Sequence, residues 1–257
     1  MSFYGVLKRC YHSCVPLRVR DGLYHMTPRP LLKLRQRLIG TLERSARHDE
    51  IYDKDYYERL VDPTMRLSVV PMAESIIKHF RPRTVVDVGC GTGLLLLTLK
   101  EKGVRGTGLE YSDAARAICQ ARGLDVRRFD IEKDASPDIK ADLVISTEVA
   151  EHLPESCADR FVDLLCSVAD HIVLTAAVPG VEGTDHVNEQ PNEYWIKKLE
   201  SRGMIYDKVL SQQWRSHWNA AGVAGCFATT LMLFSRGVGA AVGSQCGNES
   251  ESTRPSA

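Results

Sequence analysis

At Thr84 the chain changes period within a few residues. Thr84-Val-Val-Asp-Val88 is a short β-branched run, Gly89, Gly91 and Gly93 punctuate the next five positions, and LLLLTLKEK is strongly helix-forming. This reads as strand, tight turn, helix. The alternation recurs: Gly106 to Leu109 is strand-like, Ser112 to Arg122 helical, Val126 to Phe129 strand-like, and DLVIS at 142–146 a buried strand. Phe161, Leu164, Leu165 and Val168 mark another helical stripe, and His171 to Ala177 another strand. Strands alternating with helices require a mostly parallel sheet covered on both faces, which is an α/β fold.

The flanks complete this domain. Val69, Met72, Ala73, Ile76, Ile77 and Phe80 form one apolar helix face that ends before Pro82. Asn192 to Arg202 reads as a helix stopped by Gly203. Ile205 to Leu210 and Phe227 to Phe234 read as strands with no helix between them, an antiparallel pair at the sheet edge. The uncharged run Trp218 to Ser235 is interrupted by Asn219, Thr229 and Thr230. A membrane span wants about 20 mostly apolar residues, so no transmembrane segment is expected. No internal repeat is visible.

Residues 237–257 lose both periodicity and large apolar groups and are expected to be a disordered tail. Residues 1–50 form a basic arm: the first 47 residues carry ten Lys or Arg against Asp21 and Glu43. Within it, PRPLLKLRQRLIGTLER sets Leu31, Leu34, Leu38 and Leu42 at helical spacing. Such a face either contacts an anionic membrane surface or acidic substrate, or docks on the domain, the commoner fate. Residues 51–236 remain as the folded domain. At its start, YDKDYY at 52–57 either covers a ligand or begins a helix.

The formal net charge is zero, which argues against a chain that wraps nucleic acid over its whole surface. The eight cysteines include no CxxC pair and are preceded by no signal peptide, so the default compartment is a reducing, cytoplasmic one. Cys10, His12 and Cys14 lack the second pair that a zinc site would need.

The glycine turn Asp87-Val-Gly-Cys-Gly-Thr-Gly93 lets backbone N–H groups approach a ligand closely, ahead of a helix N-terminus. Its spacing is GxGxG, not the GxGxxG of a dinucleotide fold. Asp87 beside the turn suits a ligand bearing an ammonium and a sulfonium better than a pyrophosphate. Glu110 ends the second strand, where a carboxylate can accept from both hydroxyls of an adenosine ribose. Asp130 ends the third, placed to accept from an adenine amino group, with Phe129 and Ile131 as apolar contacts. Three acids at the C-terminal ends of successive parallel strands outline one ligand site.

In order, VVDVGCGTG, GLEYS, FDIE and DLVISTEVAEHL resemble the successive motifs of class I S-adenosylmethionine-dependent methyltransferases, over about residues 69–235. The resemblance implies a Rossmann-like seven-stranded sheet with one antiparallel strand. It also implies S-adenosyl-L-methionine bound over Gly89, Gly91 and Gly93, with ribose contacts from Glu110. The basic arm, YDxxYY and HVNEQPNEYW also look like bacterial methyltransferases of glycan or secondary metabolism.

The stretch Thr147-Glu-Val-Ala-Glu-His-Leu-Pro-Glu155 comes after the fourth strand, at the mouth where an acceptor would approach. Its spacing places Glu148, Glu151 and His152 on one helical turn. His186, in the loop after the fifth strand, is a candidate fourth group. The ExxEH pattern resembles that of ubiquinone-biosynthesis O-methyltransferases and, with a later His, the metal centre of small-RNA 2′-O-methyltransferases. By that likeness Glu148, Glu151, His152 and His186 would hold a divalent metal. The alternatives are a metal-free base at His152 or His186, or a structural turn with Glu148 on the cofactor side. Tyr56, Tyr57, Trp195, Trp214 and Trp218 are candidates to line an acceptor pocket. A small-molecule or saccharide O-methyltransferase is the expected function. An RNA 2′-O-methyltransferase and a non-catalytic scaffold are the alternatives.

Overall fold

The computed structural model describes residues 51–181 and 183–237. The basic arm, the Cys10-His12-Cys14 cluster and the tail from residue 238 lie outside the described residues. Seven strands form one sheet: β1 (Thr84–Val88), β2 (Arg105–Glu110), β3 (Asp125–Arg128), β4 (Leu143–Thr147), β5 (His171–Thr175), β6 (Met204–Tyr206) and β7 (Met232–Arg236). Their order is β3-β2-β1-β4-β5-β7-β6. The first five are parallel, and β7 runs antiparallel to both β5 and β6. This is the mostly parallel sheet that the alternating periods imply and the Rossmann-like seven-stranded sheet that the resemblance implies, with the antiparallel strand at its β6 end. The chain reverses direction across the sheet between β1 and β4, which opens a crevice at their C-terminal ends.

Strand periodicity divides the core. Val86, Val88 and Val144 face α4 (Ala158–Val168) and α5 (Asn192–Glu200), where Phe161 and Trp195 are fully buried. Val85, Leu143 and Ile145 face α1 (Asp62–Phe80) and α2 (Leu94–Glu101). Adjacent residues on a strand point to opposite faces, so both sides of the run must be apolar. The helix between β2 and β3, α3 (Asp113–Ala121), is capped by Ser112 Oγ, which accepts from Ala115 N at 3.3 Å.

The region between β6 and β7 departs from the sequence expectation. It holds two helices, α6 (Lys208–Ala220) and α7 (Gly225–Thr230), where only strands were expected. Asp207 caps α6, accepting from Leu210 N at 2.8 Å. Ser211, Trp214 and Trp218 lie on its inner face. Trp214 Nε1 donates to His79 Nδ1 at 3.1 Å and Trp218 Nε1 to Ser75 Oγ at 2.9 Å, so both indoles anchor α6 on α1. The uncharged run from Trp218 mixes buried residues such as Phe227 and Leu231 with exposed ones such as Asn219 and Thr229, and so short a run does not distinguish helix from strand. Among the described residues, no helix is long and apolar enough to cross a membrane.

Candidate active site

The C-terminal ends of β1, β2 and β4 open into a cavity of about 410 Å³. The glycine turn lies at its base. Gly89, Gly91 and Gly93 have φ of 73°, 53° and 72°, left-handed values that side chains resist. A Cβ on Gly89 would stand 2.4 Å from Val149 Cγ2, whereas one on Gly91 would meet nothing nearer than Tyr57 Cε1 at 3.8 Å. Gly89 and Gly91 line the cavity; Gly93, expected to join them, does not. A Cβ there would approach Leu124 Cδ1 to 2.5 Å and Cys119 Sγ to 3.0 Å, so Gly93 lets the start of α2 pack closely against α3 and the turn that follows it.

The three strand-end acids all reach the cavity. Asp87 is 3% exposed and its Oδ1 has no hydrogen-bond partner. Burial, and then the charge of Glu110, pushes its carboxyl up to about 7. Glu110 is tied to the backbone: Oε2 accepts from Gly91 N and Oε1 from Ser112 N, both at 2.8 Å. Those bonds oppose the burial that raises it. Asp130 Oδ1 accepts from Glu132 N at 3.0 Å, and its Oδ2 from Lys133 Nζ at 3.1 Å. A carboxylate oxygen has two acceptor sites, so each of these acids can still accept from a ligand. Ile131 and Phe129 line the wall beside them.

The segment YDKDYY begins a helix and turns its tyrosines to the cavity. Asp53 caps a helical turn, Lys54–Tyr56, that passes into a π-helical stretch, Tyr57–Val61, while Tyr52, Tyr56 and Tyr57 line the cavity. The segment is fastened at both ends. Ser112 Oγ donates to Tyr52 O at 3.1 Å, and Tyr52 Oη lies 3.0 Å from His152 Nδ1. Beyond the π stretch, Asp62 accepts from Thr92 Oγ1 at 2.5 Å and Arg122 Nη2 at 2.6 Å; Arg122 Nη1 donates to Thr92 O at 2.6 Å. This network joins α1 to the glycine turn. In the sequence, Asp62 is marked only as an acid before a proline, and nothing there points to its role.

The stretch after β4 is not one helical turn, as its spacing suggested. Glu148 has φ 55°, a left-handed conformation rare outside glycine, and only Ala150–His152 forms a 3-10 turn. Glu148 N donates to Thr175 O at 3.2 Å, holding the bend against β5. Val187 N and Asn188 N donate to Glu151 O at 2.9 and 3.0 Å, which pins the loop after β5 to this turn. His186 is thereby brought to the cavity, its ring centroid 5.0 Å from that of His152. Among the described residues, Glu151, His152 and His186 can each offer a ligand atom such that all lie within 4.8 Å of one another. Glu148 lies outside that group but lines the same cavity. Glu151 is 0% exposed and neither carboxylate oxygen has a hydrogen-bond partner. Burial, and then the charge of Glu148, raises its carboxyl well above the usual range.

The tryptophans do not take the place expected of them. Trp195, Trp214 and Trp218 belong to the core and none lines the cavity. Cys226 and Phe227 of α7 do, and the strand reading that begins at Phe227 does not place them there.

Residues 52–198 match the model of the methyltransferase domain family, and the chain belongs to that family. A stretch of 90 residues is 34% identical to the ubiquinone biosynthesis O-methyltransferase of Paramagnetospirillum magneticum, covering 33% of this chain and 36% of that enzyme. Another of 77 residues is 39% identical to trans-aconitate 2-methyltransferase of Rhodococcus jostii, covering 29% and 30%. The matches thus span about a third of the length of these curated relatives. Among solved structures, DhpI in complex with SAH superposes with a TM-score of 0.54 at 19% identity, covering 75% of this chain and 94% of that one. The plantazolicin methyltransferase BpumL, in complex with a triazolic desmethylPZN analog and SAH, gives 0.50 at 12% identity, covering 76% and 100%. At such identities the likeness is one of fold.

Proposed function

We propose that the protein is an S-adenosylmethionine-dependent methyltransferase acting on a hydroxyl group of a small-molecule or saccharide acceptor. The supporting observation is Asp87, a carboxyl buried under the cavity with one oxygen lacking a protein donor. A buried carboxylate without a partner is costly, and a cationic ligand relieves that cost where a pyrophosphate would add to it. Glu110 would hold the ribose hydroxyls, and Asp130 with Ile131 the adenine. S-adenosylmethionine brings a sulfonium-bound methyl group already activated for in-line transfer. The chain's own residues then have two tasks, alignment and exclusion of water. The three tyrosines over the cavity suit the second. For the acceptor proton, His152 is the candidate base: with its Nδ1–H donated to Tyr52 Oη, Nε2 carries the lone pair that would take it.

The donor set after β4 also fits a divalent cation. Glu151, with two buried unpartnered oxygens, would hold it together with His152 and His186, and Glu148 stands beside them. A cation there would supply Lewis-acid activation of the acceptor hydroxyl. The same cluster favours, as a second reading, an RNA 2′-hydroxyl acceptor. A cytoplasmic location and peripheral contact through the basic arm complete the proposal, supported by the free thiols of Cys90, Cys119, Cys157, Cys166 and Cys226 and by the arm's charge.

The test is transfer of a labelled methyl group from S-adenosylmethionine into metabolite, glycan and RNA fractions, before and after chelation. Label in metabolite or glycan that falls on chelation and returns with Mg²⁺ or Mn²⁺ is expected. Label confined to RNA would establish the second reading. Full activity after chelation would leave His152 as a metal-free base, and no transfer into any fraction would overturn the proposal.

A further inference from the structure

We infer that Glu189, three residues after His186 in the HVNEQPNEYW segment, is a positioning residue: it fixes the tautomer and direction of His186 so that Nε2 presents its lone pair to Glu151. The inference deepens the cation reading of the cluster and rests on it for its purpose.

The geometry is a relay across the loop after β5. Glu189 Oε1 lies 3.3 Å from His186 Nδ1, and His186 Nε2 lies 4.0 Å from Glu151 Oε1. Glu189 is itself held, since its Oε2 accepts from Gly180 N at 3.4 Å. An ionised carboxylate can only accept, so the proton of a neutral His186 sits on Nδ1 and the lone pair on Nε2. The 4.0 Å gap to Glu151 is too long for a hydrogen bond. It falls within the roughly 4.2 Å that two ligand atoms, each about 2.1 Å from one cation, can span. Histidines that bind metals commonly donate their other N–H to a carboxylate or carbonyl, and losing that partner costs about 10–100-fold in affinity.

The backbone makes room for this orientation. A Cβ on Gly183 would stand 2.0 Å from His186 Nε2 and 2.2 Å from Cε1, so the imidazole occupies the space a side chain at 183 would take. Asp185, with φ 58°, bends the chain between Gly183 and His186. The ring is set from one side by Glu189 and from the other by the bare Gly183 backbone.

Two readouts on the full chain test this. The first is Mn²⁺ affinity by electron paramagnetic resonance titration for the wild type, Glu189→Gln, Glu189→Ala and Glu189→Asp, with binding of S-adenosylhomocysteine as the check on folding. The second is the protonation of His186 in metal-free protein by nitrogen-15 NMR with histidine labelling, assigned with His186→Ala. The expected results are a proton on Nδ1 in the wild type and Mn²⁺ binding weakened about 10–100-fold in Glu189→Ala. Glu189→Asp should recover part of that affinity. A wild-type proton on Nε2, or on both nitrogens at neutral pH, overturns the inference. So does unchanged Mn²⁺ affinity in both Glu189→Ala and Glu189→Gln. If the wild type takes up no Mn²⁺, the cation reading fails by itself. The inference about Glu189 then stands or falls on whether the Nδ1 proton is lost in Glu189→Ala.

Discussion

Tyr52 Oη lies 3.0 Å from His152 Nδ1, joining the first described residues of the domain to the turn after β4 across 100 positions of sequence. The rings meet edge to face at 89°, with centroids 5.9 Å apart. Burial raises the Tyr52 hydroxyl well above the ordinary phenol range, so it stays protonated. In Tyr52→Phe the ring remains and the hydroxyl goes. Turnover should fall about tenfold, in line with loss of an orienting partner, and stability by about 1 kcal/mol. Cofactor affinity should stay within a few-fold, because Ser112 is held by the Tyr52 carbonyl. Steady-state kinetics and urea unfolding would show this, and wild-type turnover in the variant would remove His152 from the acceptor chemistry.

Gly89→Ala should abolish tight cofactor binding. The added Cβ meets Val149 Cγ2 at 2.4 Å, and φ of 73° strains any side chain. Strain of this kind costs about 1–3 kcal/mol at one residue, and the clash adds to it, so a loss of more than tenfold in affinity is expected by calorimetry. The double variant Gly89→Ala/Val149→Ala relieves the clash but not the φ strain and should recover only part of the loss.

Asp62→Ala should lower both stability and cofactor affinity. The carboxylate and Arg122 are 8% and 18% exposed. Removing one member of a mostly buried ion pair costs about 3–5 kcal/mol, because the other is left unpaired. Thr92, its second partner, sits in the glycine turn, so the damage should reach the cofactor. Denaturant unfolding and cofactor titration of the same sample measure both effects. A destabilised protein with wild-type affinity would show that the network only holds α1.

Asp87 sets a pH dependence whose sign is fixed by its burial. Its carboxyl rises from 3.8 to about 7, through burial first and the charge of Glu110 second. The folded state therefore prefers the protonated acid. This contribution to stability is full below about pH 4 and is lost as pH rises through about 7. A cationic ligand binds the ionised form, so affinity should weaken about tenfold per pH unit below 7, as expected for linkage to one proton. Calorimetry between pH 5.5 and 7.5 should show this slope in the wild type. Asp87→Asn should bind weakly with no such slope. A flat wild-type profile would dissociate Asp87 from ligand binding.

Much of the site was legible in the sequence, and the reasons are particular. The strand that carries Asp87 could be placed because it is buried on both faces and reads as a nearly continuous apolar run in which an acid stands out; β2, which ends in Glu110, and β3, which precedes Asp130, are more exposed and were legible through their alternation with helices. Glu151, His152 and His186 were nameable because their spacing and loop positions bear on chemistry. Their assembly was not foreseeable, since it depends on the left-handed bend at Glu148 and on two backbone bonds to Glu151 O. Local spacing encodes neither. The α6 helix was missed because its buried face, Ser211, Trp214 and Trp218, carries only two large apolar groups, and α7 because six residues are too few to display a helical period. Asp62, Tyr52 and Glu189 act through contacts with distant or loop-borne partners. For such residues a sequence offers at most a hint, as YDKDYY did.

A cofactor site at the glycine turn is the central claim, and calorimetric titration of the full chain with S-adenosylmethionine tests it most directly. One equivalent should bind the wild type, with affinity strongly reduced in Asp87→Asn and Gly89→Ala. Absence of binding to folded wild-type protein at millimolar ligand, or equal binding by all three proteins, would contradict it.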